Sequence, residues 1–308
     1  MHRTFSVSLP SNCTDELIGQ LHNMPNVIGM NVERGISIKP VGDVLTLHVL
    51  NRGTDAVLQC IAVVCAEKPY SIVTSELASL IDPANHQRIE KDYDEAIWEE
   101  MEASLRHNGR LTTNYIMLMG IGGMIAAVGL VSEPAPQAVS FMAASVLAPG
   151  FDPLAKIALG ITHRRLHLIG YGLRNTLLGY LTLIIAAGLA FWLMQLTGAT
   201  TAAEFTSNPE IKSLSEPGTK QILLSIGGAI AGGIIIASYR DSFIPGALMA
   251  LVSIHSASMI GVSLAIADWP NAWQGVERFS LDVLLVIGCC YVVFSLKQWF
   301  VHRRRPIV

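Results

Sequence analysis

The chain has 308 residues, 51% of them apolar and 15% charged, where a soluble domain carries about a quarter charged residues. Its formal net charge of −3 says little about partners by itself, but no basic, aromatic-rich stretch offers a nucleic-acid surface. Acidic groups concentrate in residues 1–112, while residues 113–302 are long Leu, Ile, Ala and Gly runs with charges confined to short breaks. That excludes two water-soluble units and reads as one soluble domain followed by one membrane domain.

The start, MHRTFSVSLPSNCTDELIG, holds no apolar core of signal-peptide length and no small-residue cleavage site, so a cytoplasmic N-terminus is expected. Residues 3–9 alternate apolar and polar as a half-buried strand does, and Pro10, Ser11 and Asn12 end the run. Leu17, Ile18 and Leu21 have helical spacing. Strands follow at 27–33 and 44–50, separated by a turn at Lys39–Asp43, then a helix capped at Thr54 or Asp55 and a strand at 69–74. This β-α-β-β-α-β order is the ferredoxin-like plan. Residues 86–106 then read as one charged helix with a stripe at Ile89, Tyr93, Ile97, Met101 and Leu105. The stripe packs either on the soluble domain or on the same helix of a second copy, which makes a homo-oligomer an expectation. Cys13, Cys60, Cys65, Cys289 and Cys290 show no zinc spacing and are read as packing residues.

Six apolar segments follow, at about 113–132, 136–150, 168–196, 220–238, 244–267 and 280–301. The second is long enough to cross only if it continues past Pro149 and Pro153 to about Ile161. Arg106, Arg110, His163-Arg164-Arg165, Arg240, Lys297 and Arg303-Arg304-Arg305 fall on one side. The other side carries Lys212, Lys220 and Arg278 among more numerous acids, such as Glu133, Glu204, Glu210 and Glu277. The positive-inside rule therefore places both termini in the cytoplasm of a multi-pass inner-membrane protein. Trp192, Trp269, Trp273 and Trp299 fall near the expected interfaces. The organisation expected is a cytoplasmic domain over 1–82, an amphipathic linker helix over 83–112, a six-span domain over 113–302 and a basic tail over 303–308.

GIGGMIAAVGL at 120–130 matches SIGGAIAGGII at 225–235, and the segments at 142–161 and 248–266 match more weakly. Three spans per copy would invert the second copy, the 3+3 arrangement of many secondary transporters with broken helices at the midplane. Gly120, Gly122, Gly123, Gly227, Gly228, Gly232 and Gly233 are expected at close helix crossings. Within the matched regions, Pro149 and Pro153 remove backbone donors, and carbonyls freed at membrane depth need protein, water or a ligand. Asp152 and Lys156 are spaced to pair across one turn, or else sit at the interface. The fifth segment carries Ser253, His255, Ser256 and Ser258, polar groups that mark a pathway or bond a neighbouring helix. Arg174 either snorkels to headgroups or pairs with Asp152.

The stretches AIWEEMEASLR, IAAVGLVSE, MAASVLAPGFDPLAKIALGI and IPGALMALVSIHSASMIGVSLAI together resemble a bacterial and archaeal group of hydrophobic membrane proteins, the domain of unknown function 389 family. Members usually have small residues and proline where this chain has Phe151-Asp152-Pro153, and often a Pro-Pro pair where it has Ile254-His255-Ser256. The resemblance implies the architecture and supplies no reaction, cofactor or substrate.

Two functions compete. One is a transporter or channel for a small solute, its site between the second and fifth segments at Pro149, Asp152, Lys156, Arg174, Ser253, His255, Ser256 and Ser258. The other is a membrane-anchored sensor or scaffold whose N-terminal domain binds a metabolite while nothing is conducted. No HExxH, GxSxG, metal-ligand or phosphate-loop spacing points to an enzyme, a metal or a cofactor.

Overall fold

A computed structural model describes residues 2–77, 79–93, 95–238 and 243–307, with the side chains of Glu210 and 243–252 outside that description. Arg240, counted above among the inner basic residues, lies outside it too. The chain divides into two compact units, residues 1–99 with 298–308, and residues 100–297.

In the first unit the period-two alternation of β1 (His2–Leu9) turns Phe5, Val7 and Leu9 inward. Next come α1 (Ser11–His22), β2 (Val27–Ile38), β3 (Val41–Val49), a 3-10 turn at Asn51–Gly53, α2 (Thr54–Val64) and β4 (Ser71–Leu77). The element order is the one read from the alternation. The strands form one sheet in the order β2-β3-β1-β4, every neighbouring pair antiparallel. Its core joins Phe5, Val7 and Leu9 to Leu17 and Leu21 of α1, Leu45 and Leu47 of β3, and Val57 and Ile61 of α2.

The single helix expected over 86–106 is two: α3 (His86–Glu90) and α4 (Trp98–Asn108). Tertiary bonding overrides the helix propensity of the intervening residues. The Asp92 carboxylate accepts from the Asn51 backbone at 2.6 Å and from Arg52 Nε at 3.2 Å, and Asn51 Nδ2 donates to the Tyr93 carbonyl at 2.6 Å. Ile97, Met101 and Leu105 keep their buried places, Ile97 within the core of the sheet, but Tyr93 is exposed.

The second unit is helical: α5 (Thr113–Leu130), α6 (Pro134–Leu147), α7 (Phe151–Thr162), α8 (Leu166–Leu196), α9 (Ala202–Ser207), α10 (Pro209–Ser215), α11 (Thr219–Ala237), α12 (Phe243–Ala265) and α13 (Trp269–Phe300). Each of the six apolar segments appears as a helix or a helix pair. Among the described residues, α5, α8, α11 and α13 are long and apolar enough to cross a membrane. The pair α6 and α7, bent by 52°, passes the same test as one span and makes up to five. One boundary moves substantially: α13 begins at Trp269, with Pro270 in its first turn where a missing N–H costs nothing, rather than near 280. Glu277 and Arg278 therefore belong to a helix and not to a loop.

α8 is the central element, with α5, α7 and α12 packed on it. A Cβ on Gly123 of α5 would come within 2.3 Å of the Leu183 carbonyl oxygen, and one on Gly261 of α12 within 2.1 Å of the Ile184 oxygen. Two helices thus meet adjacent carbonyls of α8 through glycine. The two glycine runs read as a repeat do not pack alike. Gly122 and Gly123 sit at tight contacts, whereas nothing lies within 4 Å of a Cβ on Gly227. Trp192, Trp269, Trp273 and Trp299 are all exposed.

Candidate functional site

The chain breaks between α6 and α7 at Ala148-Pro149-Gly150, where the Gly150 N–H turns back to the Ala148 carbonyl at 2.8 Å. Pro149 lies in the break. Pro153 does not: it occupies the first turn of α7, where helix N–H groups have no intrahelical partner in any case, so it frees no extra group. Gly150 is buried under an aromatic hydroxyl, and a Cβ there would lie 2.5 Å from Tyr180 Oη of α8. That hydroxyl is also 2.9 Å from Ser253 Oγ of α12. One tyrosine therefore joins the break to the polar run of the fifth segment.

The polar residues of α12 are all buried, with separate destinations. Ser253 meets Tyr180. The His255 ring stacks on Phe141 of α6, centroids 3.5 Å apart and planes 25° from parallel, and bonds the Phe141 backbone. Its Nε2 has no hydrogen-bond partner among the described residues, and neither does Ser258 Oγ. Ser256 Oγ lies 3.2 Å from the Ser253 carbonyl and 3.4 Å from Asp282 Oδ2, and its single proton serves one of them at a time.

Asp282 brings in the group that sequence reasoning missed. On α13, Arg278 and Asp282 stand one turn apart and pair through Nη2 and Oδ1 at 3.1 Å, each side chain 2% exposed. Ser225 of α11 donates to Asp282 Oδ1 at 3.3 Å and accepts from Arg278 Nη2 at 3.1 Å. Reading 277–278 as loop hid the pair. The available signal was an Arg-x-x-x-Asp spacing running straight into the apolar stretch that follows, with Pro270 marking an earlier helix start.

Asp152 and Lys156 belong to a different cluster, at the start of α7. The Asn108 side chain bonds the Asp152 carboxylate. Lys156 is buried, its Nζ 5.7 Å from the Tyr171 ring centroid, within electrostatic range of Glu102 and Arg106. Glu102 itself pairs with Arg165 at 2.6 Å. The one-turn pair between Asp152 and Lys156 does not form among the described residues, because each side chain turns toward α4 or α8 instead. Arg174 is exposed on α8 and pairs with no acid among the described residues, which leaves the snorkelling alternative. The eight proposed residues thus divide into the break with the α12 run, a cluster around Asp152 and Lys156, and an isolated Arg174.

No curated protein matches the chain. Residues 145–287, which hold the break, Tyr180, the α12 run and the Arg278–Asp282 pair, match the family model described as Domain of unknown function (DUF389), the family that the sequence resembles.

Proposed function

We propose that the chain is a six-span inner-membrane protein that carries or conducts a small solute, its site where the α6–α7 break faces α12. The observation that carries this reading is the Tyr180 hydroxyl, held between Gly150 in the break and Ser253 in α12. A broken backbone surrounded by buried hydroxyls is how a helical membrane protein builds a polar path, since lipid offers nothing to satisfy such groups. The N-terminal sheet, of ferredoxin-like plan, is the regulatory part in this reading.

Parity is compatible with six crossings and supports an even number. Residues 298–308 pack with residues 1–99 in one unit, so the chain must leave and rejoin that unit on the same side of a bilayer. Four long helices with both α12 and the bent pair make six, an even number. Arg106, Arg110, Arg164 and Arg165 support the cytoplasm as the shared side.

The test is light-scattering flux in proteoliposomes under gradients of potassium chloride, potassium acetate, glycerol, urea or glycine. Tyr180→Phe and Ser253→Ala are expected to slow the transported solute about tenfold, the kinetic weight of one buried hydrogen bond. Arg174→Gln leaves the rate unchanged. Equal rates in Tyr180→Phe, Ser253→Ala and the parent protein would remove the site. If no solute moves at all, the anchored sensor, with the sheet unit binding a metabolite, takes the place of the transporter.

A further inference from the structure

We propose that Arg278 is the binding residue for a small soluble anion; on the transport reading, on which this rests for its role, that anion is the solute. The argument is an imbalance within one buried ion pair. Asp282 has donors on both sides: Oδ1 receives Arg278 Nη2 and Ser225 Oγ, and Oδ2 faces Ser256 Oγ, whose proton it shares with the Ser253 carbonyl. Arg278 is less well served. A guanidinium carries five N–H donors, and the one on Nε and both on Nη1 are buried with no partner among the described residues.

The chemistry of that imbalance selects a sign. A guanidinium keeps its charge at any accessible pH, so a buried one cannot relieve the cost by losing a proton. Unsatisfied donors in such a place are costly. A ligand that supplies several acceptor lone pairs and a negative charge meets both needs at once, which a neutral or cationic solute does not. Asp282 is the resident counterion, and an entering anion competes with it for the guanidinium. With the Arg278 side chain only 2% exposed, the ligand is a free anion and not a lipid headgroup.

The test uses the full chain in phosphatidylcholine nanodiscs. Thermal unfolding is followed against sodium chloride, sodium acetate and sodium gluconate at constant ionic strength. Chloride or acetate is expected to raise the midpoint of the parent protein in a saturable way, gluconate much less. Asp282→Asn keeps the guanidinium and removes its competitor, so the apparent affinity rises about tenfold or more. The double variant R278Q/D282N keeps a neutral hydrogen-bonding pair, avoids a stranded charge, and loses the response. A folded double variant that still responds, or an Asp282→Asn protein that responds to no anion, overturns the assignment. Repeating the series with phosphatidylglycerol leaves the parent response unchanged; its appearance only with that lipid would also overturn it. Anion binding without flux keeps the site and ends the transport reading. Flux of glycerol, urea or glycine that ignores the double variant ends the anion's role as solute and keeps the transporter.

Discussion

Arg304 shows how much one residue changes the meaning of a basic tail. Read from the sequence, Arg303-Arg304-Arg305 is a solvated cationic end. In the fold the segment alternates, with His302 and Arg304 buried and Arg303 and Arg305 exposed. Arg304 Nε donates to Asp55 at 2.6 Å, its Nη1 and Nη2 donate to the two Glu99 oxygens at 2.7 and 2.5 Å, and His302 Nδ1 lies 2.8 Å from Asp55. Burial works against ionisation of Asp55 and Glu99, yet the hydrogen bonds and charges of His302 and Arg304 on Asp55, and of Arg304 on Glu99, hold both carboxyls below their usual range. A depressed carboxyl stabilises the fold above its unfolded pKa of about 4 and loses that contribution as pH falls through the depressed value. The tail is therefore expected to stay clasped at neutral pH and to loosen in acid below about pH 4. Arg304→Ala should loosen it at neutral pH, by about 1.5–3 kcal/mol for each charge-assisted bond lost, and flatten the acid dependence. Hydrogen exchange of residues 301–307 in the full chain, corrected for intrinsic rates, measures this. Equal protection in the variant and the parent protein at pH 7 would contradict it.

At the level of elements, helix pattern carries far and packing partner does not. The apolar runs locate α5, α8 and α11 to within a few residues because length and hydropathy are local properties. The α3–α4 interruption was invisible because its cause is Asp92 bonding a turn some forty residues earlier. The start of α13 differs because Glu277 and Arg278 look like loop residues until Arg278's partners, Ser225 on α11 and Asp282 one turn on, are known. Glycine shows the same limit: Gly227 and Gly261 read alike in an apolar run, but only Gly261 faces a backbone. Its Cβ would come within 2.1 Å of the Ile184 oxygen and 3.1 Å of the Gly188 nitrogen, neither of which can rotate away as a side chain does. Gly261→Ala is expected to push α12 from α8 at a cost of about 1–3 kcal/mol. Gly227→Ala, in open space, should be neutral or slightly stabilising through helix propensity. Thermal unfolding in detergent separates the two, and equal midpoints would mean that the α8–α12 crossing yields without strain.

For the whole molecule, membrane character was legible from composition, and the break from Pro149 and Gly150. The centre of the site was not, because Tyr180 looks like any aromatic in an apolar helix, and the Arg278–Asp282 pair acquires meaning only beside Ser225 and Ser256. What the architecture adds is the parity constraint. If α5, α8, α11 and α13 all cross a bilayer, either the bent pair and α12 cross as well, giving six crossings, or both turn back, giving four. The two cases differ at two places in the chain. With six crossings the segment between α7 and α8 shares a side with the termini, and the segment between α8 and α11 lies opposite. With four, these assignments exchange. His167 and Ala203 are exposed and report on them. Single cysteines at these positions, in a background with the five native cysteines replaced, can be labelled with a membrane-impermeant maleimide on intact spheroplasts. Six crossings with cytoplasmic termini predict that Ala203→Cys reacts and His167→Cys does not until the membrane is permeabilised. With the termini in the cytoplasm, the reverse pattern would make α6–α7 re-entrant, and the break would then open to one face only, as a vestibule that suits a channel better than an alternating carrier.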